Sequence, residues 1–137
     1  MMSPYSSSKE ALEHAKNEAI KKAILLVDSQ EESRLIMSLL LREEGHLVST
    51  CADVSAALKL IAAEPFDFVI VEHAAPSLDG LDLLERIKQH NVRIPVLMLS
   101  AQYELEPYLI AMNLGALDFF SKPVDYSEIQ RLIKTYT

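Results

Sequence analysis

Short apolar runs alternate along the chain with longer segments in which apolar residues recur at helical spacing. Runs of four to six apolar residues are typical of strands buried in a parallel sheet. The intervening segments have the length and spacing of amphipathic helices. The predicted strands are residues 24–27, 47–51, 66–71, 96–99 and 117–120. The predicted helices are residues 31–44, the segment between Asp53 and Pro65, and residues 79–89, 103–113 and 126–136. Strand and helix thus alternate five times, which predicts an α/β fold with a parallel sheet and helices on both faces.

The first of these helices illustrates the pattern. Leu35, Ile36, Leu39 and Leu40 recur at helical spacing within residues 31–44. Gly45 follows them, and glycine commonly ends a helix because it adopts the left-handed conformation without strain.

Residues 1–22 precede the first strand. Ser7 and Glu10 have the spacing of a capping box, and the residues that follow are rich in Ala, Glu and Lys. This predicts an N-terminal extension that is partly helical, with too few apolar residues to bury much surface by itself. Two interpretations stay open, a solvated leader or linker and a helix that contacts a partner or a second copy. Residues 23–137 are predicted to form one domain.

Composition narrows the class of protein. The 137 residues include 13 basic and 20 acidic side chains, a net charge of −7, which argues against direct nucleic-acid binding because that draws on clustered Lys and Arg. No apolar run approaches the roughly 18 residues of a membrane span, and the first 22 residues lack the apolar core of a signal peptide. Cys51 is the only cysteine, so an internal disulfide is excluded. These features predict a cytoplasmic domain that contacts no membrane.

Polar side chains follow four of the five predicted strands. They are Asp28 and Ser29 after the first strand, Glu72 after the third, Ser100 after the fourth and Lys122 after the fifth. Sites in open parallel sheets lie outside the carboxyl ends of the strands, so we expect these side chains to converge on one shallow pocket. Two carboxylates beside an ammonium and hydroxyls are able to hold a cation, to bind a phosphoryl group, or simply to neutralise each other.

Other chemistries have less support in the sequence. The three glycines are far apart, so there is no glycine-rich phosphate loop. Ser100 lies between Leu99 and Ala101 rather than in a nucleophile-elbow pattern, which argues against a hydrolase triad with His73 and Asp28.

Four motifs together resemble the response-regulator receiver (CheY-like) domain. They are the run 24–28 that ends in Asp28, Pro76 with Asp79-Gly80, the segment 95–101, and the segment 115–123. The resemblance extends from about residue 23 to residue 136. It implies a flavodoxin-like (βα)5 doubly wound parallel sheet with strand order 2-1-3-4-5, here with an extra N-terminal helix. It also implies a signalling module rather than an enzyme, with no catalytic residue.

The resemblance assigns roles to particular residues. Ser100 and Lys122 correspond to the family's phosphate pocket, and Phe119 to the aromatic residue that changes rotamer on activation. Glu72 stands at the phosphoacceptor position, where the family has Asp. The family's pair of acids that hold Mg²⁺ is here Asp28 and Ser29, so the second acid is replaced by a hydroxyl.

These two departures lead to a hypothesis of a pseudo-receiver. Mg²⁺ requires carboxylate ligands in strict geometry, so we expect Mg²⁺ binding to be weak or absent and no other cofactor to be bound. The predicted function is phosphorylation-independent interaction with a protein partner, or homodimerisation, through the fourth helix, fifth strand and fifth helix. Glu72 in this hypothesis either mimics the activated state or is merely inert. The alternatives are a still-active phosphoacceptor receiver of a phosphorelay and a small-ligand-binding flavodoxin-like domain.

Overall fold

A computed structural model describes residues 21–137 of the chain. The strands are β1 (Ala23–Val27), β2 (Leu47–Cys51), β3 (Phe68–His73), β4 (Val96–Ser100) and β5 (Asp118–Ser121), and the helices are α1 (Glu31–Glu43), α2 (Val54–Ala63), α3 (Gly80–His90), α4 (Leu105–Asn113) and α5 (Tyr126–Tyr136). The predicted alternation of strand and helix is confirmed. The predicted N-terminal extension covers residues 1–22; residues 1–20 lie outside the described residues, and residues 21 and 22 belong to no helix.

The five strands form a single parallel sheet with the order β2-β1-β3-β4-β5. The chain therefore starts near the middle of the sheet, moves to one edge, crosses back over β1 and continues to the other edge. This confirms the doubly wound α/β fold. The point at which the order reverses lies between β1 and β3, and Asp28 follows the first of these strands.

Two apolar layers cover the sheet because successive side chains of each strand point to opposite faces. On one face, α1 and α5 pack through Leu41, Ile129 and Ile133 against Ile24 and Leu26 of β1. On the other face, the buried side chains of α2, α3 and α4 pack against alternate residues of β1, β3 and β4: Ala57, Ile61, Leu83, Leu84, Ile87, Ala111, Leu25, Val27, Val69, Val71, Val96 and Met98.

The orientation of α1 differs from the one that its apolar spacing suggests. Leu35, Ile36 and Leu39 are exposed, whereas Leu41 and the polar Ser38 are buried. Ser38 tolerates burial because its hydroxyl donates a 2.8 Å hydrogen bond to the carbonyl oxygen of Leu35. The helix itself was predicted correctly, but it leaves a row of leucine and isoleucine side chains on the surface.

The predicted bounds of β3 and β4 need correction. β3 continues to His73 and β4 to Ser100, so Glu72 and Ser100 lie within the last residues of their strands rather than after them. The backbone of Glu72 is paired with that of Leu99. Both side chains therefore start from regular sheet, which holds them more rigidly than a loop. Among residues 21–137, no helix has both the length and the apolar character needed to cross a membrane.

Candidate functional site

Lys122 lies between two carboxylates at the carboxyl edge of the sheet. Its Nζ is 2.6 Å from Oε2 of Glu72 and 3.4 Å from Oδ2 of Asp28. Asp28 follows β1, Glu72 is near the end of β3 and Lys122 follows β5, so three strand ends supply one ion-pair cluster. The side chains of Asp28 and Glu72 are almost fully buried, and that of Lys122 is 23% exposed. The expected convergence is confirmed for these three residues.

Two serines complete the hydrogen bonds of the pocket. The Ser29 hydroxyl donates to Oε1 of Glu72 at 2.9 Å. Ser33, in the first turn of α1, donates to Oδ2 of Asp28 at 2.6 Å and accepts from Lys122 Nζ at 3.0 Å. The backbone N–H of Gln30 donates to Oδ1 of Asp28 at 2.9 Å. All four carboxylate oxygens of the two acids therefore accept hydrogen bonds from the protein itself.

The environment of Asp28 favours its ionised form. Burial raises the pKa of Asp28, but the hydrogen bonds from Ser33 and Gln30 and the positive charge of Lys122 outweigh burial, so the pKa is lowered below its usual value. Asp28 also orients the start of α1, because its own carbonyl oxygen accepts a 2.8 Å hydrogen bond from the Arg34 guanidinium. Asp28 thus contributes to the charge balance of the pocket through its carboxylate and to the position of α1 through its backbone carbonyl as well.

Ser100 is the last residue of β4 and is buried. Its hydroxyl accepts a long, 3.4 Å hydrogen bond from the N–H of Gln102, in its own loop. Its carbonyl oxygen accepts a 2.7 Å hydrogen bond from the backbone N–H of Lys122, which ties the ends of β4 and β5 together. The ion-pair cluster therefore consists of Asp28, Glu72 and Lys122, with Ser100 beside it.

Phe119, on β5, points into the core and is almost fully buried. The ring of Tyr108, on α4, meets it edge-on, with 6.2 Å between ring centroids. Tyr103 in turn lies against Tyr108 at 5.9 Å. These three rings form a continuous path from the buried side of β5 to the exposed Tyr103.

Sequence reasoning missed Ser33 and the role of Gly80. Ser33 is five residues after Asp28, and only its place in the first turn of a helix that starts beside Asp28 hinted at the contact. Gly80, the first residue of α3, lies against β3, where an added Cβ would be 2.9 Å from the carbonyl oxygen of Glu72 and 3.0 Å from Cα of His73. Its N–H donates to Nδ1 of His73 at 3.1 Å, so that imidazole supports the turn. Glycine is therefore required for α3 to begin this close to Glu72.

Two carboxylates and a hydroxyl are the oxygen groups that this pocket offers to a magnesium ion. Mg²⁺ needs near-octahedral oxygen ligands, and carboxylates are its principal protein ligands. Here two carboxylates already surround the Lys122 ammonium, and Ser29 contributes a hydroxyl that donates to one of them. Within residues 21–137 there is no cluster of three or more His, Cys, Asp or Glu side chains able to hold a metal ion. The positive charge in this pocket is supplied by lysine.

Fold and site together define a doubly wound α/β protein with a charged pocket at the carboxyl edge of its sheet. The response regulator receiver domain family matches residues 24–134, and the chain belongs to this family. Receiver domains are signalling modules that interact with proteins such as kinases and effector domains.

Curated relatives span very different lengths. The chain is 33% identical over 113 residues to sporulation initiation phosphotransferase F of Bacillus subtilis, and this match covers 82% of the chain and 91% of the relative. It is 32% identical to the response regulator protein PilR of Pseudomonas aeruginosa, with coverage of 81% of the chain and 25% of that protein. Identity to the alkaline phosphatase synthesis transcriptional regulatory protein PhoP of Bacillus subtilis is 30%, covering 84% of the chain and 48% of PhoP.

Solved structures agree on the fold. A two-component response regulator from Clostridium difficile superposes with a TM-score of 0.79 at 21% identity, covering 85% of this chain and 95% of the other. The response regulator TrrA of Thermotoga maritima, solved in complex with Mg²⁺ and a beryllium fluoride, superposes with a TM-score of 0.76. It is 24% identical to this chain, and the superposition covers 85% of this chain and 99% of TrrA. At these identities the likeness establishes the fold alone.

Proposed function

We propose that this receiver domain signals without phosphorylation, as a protein-interaction module with an internally neutralised pocket. The observation that carries this proposal is the position of Lys122 Nζ, 2.6 Å from Glu72 and 3.4 Å from Asp28. The Lys122 ammonium, the hydroxyls of Ser29 and Ser33 and the N–H of Gln30 together donate hydrogen bonds to every carboxylate oxygen of Asp28 and Glu72. A phosphoryl group would have to displace these internal donors.

The chemistry of phosphoryl transfer supports the proposal. Transfer depends on positioning and on charge stabilisation, usually by a divalent metal ion. Ser29 removes one metal ligand, and the side chain of Glu72 is one methylene longer than that of aspartate, which moves the nucleophilic oxygen by about 1 Å and costs about 10²-fold in rate. Both changes act on the same step, so their effects should multiply.

Glu72 also supports a constitutive state. Its carboxylate carries a charge of −1 against −1.5 to −2 for a phosphoryl group, and it already attracts Lys122. We infer that the Glu72–Lys122 pair holds the pocket in one conformation, so the domain presents a fixed surface to its partner.

The surface that we propose for the partner comprises α4, β5 and α5. Four apolar side chains are exposed on and just before α4: Tyr103, Leu105, Leu109 and Ile110. Exposed carboxylates lie on the same elements, at Glu104, Glu106, Asp125 and Glu128, and the last of these is paired with Arg131. A second copy would bring like charges together across this face. The chemistry therefore favours a different protein, with an apolar centre and a basic rim.

Phosphorylation is the direct test. The full chain is incubated with Mg²⁺ and acetyl phosphate, and phosphoryl incorporation is read from the intact mass. We expect no adduct on the natural sequence. The double variant Ser29→Asp, Glu72→Asp is the positive control, and we expect it to bind Mg²⁺ and accept the phosphoryl group, because Asp28, Ser100 and Lys122 remain in place.

The two single variants separate the defects. Glu72→Asp alone should be phosphorylated weakly, because a metal ligand is still missing. Ser29→Asp alone should bind the metal ion but transfer slowly, because Glu72 still misplaces its oxygen. A phosphoryl adduct on Glu72 or Asp28 of the natural sequence would overturn the proposal in favour of an active phosphoacceptor. A double variant as inert as the natural chain would show that the pocket differs beyond these two positions.

A further inference from the structure

A cavity of about 450 Å³ lies beside β5, within the surface proposed for the partner. Three parts of the chain line it. Tyr103 comes from the loop before α4, Phe119 and Phe120 from β5, and Asp125 and Glu128 from the start of α5. The free edge of the sheet thus has a cavity lined by both aromatic rings and carboxylates.

The aromatic rings offer faces on which a flat group is able to pack. Tyr103 is 58% exposed and Phe120 is partly buried, whereas Phe119 is almost fully buried. The Tyr103 ring is supported by Tyr108, at 5.9 Å between ring centroids. A ring that is already supported loses little freedom when a second group packs on it. The faces of Tyr and Phe rings attract cations, more often the guanidinium of arginine than the ammonium of lysine.

Both carboxylates keep one oxygen that accepts no hydrogen bond from the described residues. Oδ1 of Asp125 accepts from the N–H and the hydroxyl of Ser127, at 2.9 and 2.7 Å, which leaves Oδ2. Oε2 of Glu128 accepts from Arg131 at 2.9 Å, which leaves Oε1. The hydrogen bonds from Ser127 lower the pKa of Asp125, so its carboxylate is ionised at neutral pH. The cavity therefore has negative charge to offer beside its rings.

A guanidinium group matches this combination of groups. It is planar, so it stacks on an aromatic ring while its N–H groups donate to carboxylates at its edge. An ammonium has the charge but not the flat shape, and an apolar side chain has no donor for the carboxylates. An anion would be repelled by both acids.

We propose that this cavity binds an arginine side chain of the partner protein, stacked on Tyr103 and Phe120 and paired with the carboxylate of Asp125. The proposal rests on the proposed function for the choice of surface, and it adds the side chain that the partner has to present. Leu105 and Leu109 are exposed on the adjoining helix α4, so apolar residues should flank that arginine.

Short peptides test the arginine directly. The full chain, labelled with ¹⁵N, is titrated at pH 7 with acetyl-Leu-Arg-Leu-amide and with the same peptide carrying citrulline, which has nearly the shape of arginine but no charge. We expect saturable shift changes at the amides of Tyr103, Phe120 and Asp125, with a dissociation constant of about 1–10 mM for the arginine peptide. The citrulline peptide should bind at least about fivefold more weakly, and a lysine peptide should fall between the two.

A matched pair of variants tests the carboxylate. Asp125→Asn removes the charge but retains the N-cap of α5, because asparagine caps a helix as well as aspartate does. It should weaken binding of the arginine peptide about threefold. Asp53→Asn is the control, since Asp53 is the exposed N-cap residue of α2 and follows β2 at the opposite edge of the sheet. It should leave the dissociation constant unchanged.

A second pair tests the ring. Tyr103→Leu keeps an apolar side chain but removes the aromatic face, so it should weaken the arginine peptide about threefold and leave the citrulline peptide less affected. Tyr136→Leu is the control, because Tyr136 is 52% exposed but lies in the last turn of α5. It should not change the affinity for either peptide.

The proposal is overturned by equal binding of the arginine and citrulline peptides, by equal effects of Asp125→Asn and Asp53→Asn, or by no saturable shift up to about 20 mM peptide. The phosphorylation test is read separately. A natural chain that accepts a phosphoryl group and still binds the arginine peptide would overturn the proposed function and support the arginine site. A chain that accepts no phosphoryl group and binds no peptide would overturn the arginine site alone.

Discussion

The hydroxyl of Ser29 donates a 2.9 Å hydrogen bond to Oε1 of Glu72. These are the two residues that the sequence analysis singled out as departures from the receiver pattern, and they contact each other directly. Each substitution therefore suits the other: a carboxylate at position 29 would repel Glu72, whereas the hydroxyl donates to it. In the proposed function, this pair acts as one replacement of a metal-dependent arrangement by a metal-free one.

We predict that Ser29→Asp alone destabilises the protein in the absence of divalent metal. A carboxylate close to Oε1 of Glu72 adds like-charge repulsion and removes a hydrogen bond, so the free energy of unfolding should fall by about 1–2 kcal/mol. Ser29→Asn is the control of the same shape, because its amide is still able to donate. Urea unfolding at pH 7 with a chelator measures both. Equal stability of the two variants would contradict direct repulsion at this position.

Removal of the Lys122 charge should be costly. Breaking a buried ion pair costs about 3–5 kcal/mol and breaking an exposed one about 0–1 kcal/mol. The Lys122 side chain is 23% exposed and its two carboxylate partners are 5% exposed, so Lys122→Ala should lower the free energy of unfolding by about 1–3 kcal/mol. Lys122→Met keeps the apolar part of the side chain but should lower the free energy of unfolding nearly as much, because the charges of Asp28 and Glu72 are then uncompensated.

Arg131 provides the matched control for this measurement. A guanidinium nitrogen of Arg131 lies 2.9 Å from Oε2 of Glu128 on α5, and both side chains are well exposed. Arg131→Ala should leave the free energy of unfolding nearly unchanged, because water screens this exposed pair. Chemical denaturation of the three variants gives the comparison, and an equal effect of Lys122→Ala and Arg131→Ala would mean that water fully screens the pocket.

Gly80→Ala should distort the end of β3. The added Cβ would lie 2.9 Å from the carbonyl oxygen of Glu72 and 3.0 Å from Cα of His73, and both are backbone atoms that cannot move aside independently. We expect a loss of about 1–3 kcal/mol, as for other overpacked positions. Amide chemical shifts in a ¹H–¹⁵N spectrum should change at Ser29 and Lys122, because the displaced strand carries Glu72.

Gly115→Ala is the control for the glycine substitution. Gly115 has a φ of +99°, so alanine is strained there, but the nearest atoms to an added Cβ are 3.7 Å away in the flexible Lys88 side chain. We expect a loss of stability near 1 kcal/mol from backbone strain alone. Pocket amide shifts should stay unchanged, and changes as large as those of Gly80→Ala would show that the pocket responds to any loss of stability.

His46 should make stability depend on pH. Its Nδ1 accepts a 3.1 Å hydrogen bond from the backbone N–H of Lys22, which requires an unprotonated Nδ1. Burial lowers the pKa of His46 below its usual 6.5, and the charge of Lys22 lowers it further. Gln130 and Glu44 raise this pKa, but their effect is smaller. The unfolded chain therefore binds the proton first as pH falls. The contribution of neutral His46 to the free energy of unfolding is fully present above about pH 6.5. It is lost as the pH falls through the lower pKa of His46 in the folded protein.

His46→Asn isolates that contribution, because the asparagine carbonyl is able to accept from the Lys22 N–H without titrating. Between pH 7.5 and pH 5 the natural sequence should lose more free energy of unfolding than the variant. Urea unfolding at several pH values measures the difference. Parallel pH profiles would show that His46 titrates alike in the folded and unfolded chain.

The sequence by itself determined the order of elements and the members of the ion-pair cluster. Short apolar runs can be buried only as strands between amphipathic helices, and parallel strands bring their carboxyl ends to one edge. The sequence therefore predicts that Asp28, Glu72 and Lys122 lie close together, along with Ser29 and Ser100. The start of α2 also depends on a local contact, because the Asp53 side chain accepts a hydrogen bond from the N–H of Ala56.

Only the tertiary structure decided how α1 is rotated and which donors reach each carboxylate. Apolar residues occur on several sides of α1, so periodicity cannot choose the buried side. The contacts of Ser33 and Arg34 with Asp28 orient the first turn, and Leu41 enters the core while Leu35 and Leu39 remain outside. Such choices depend on packing between elements that are distant in the chain, and no local pattern contains that information.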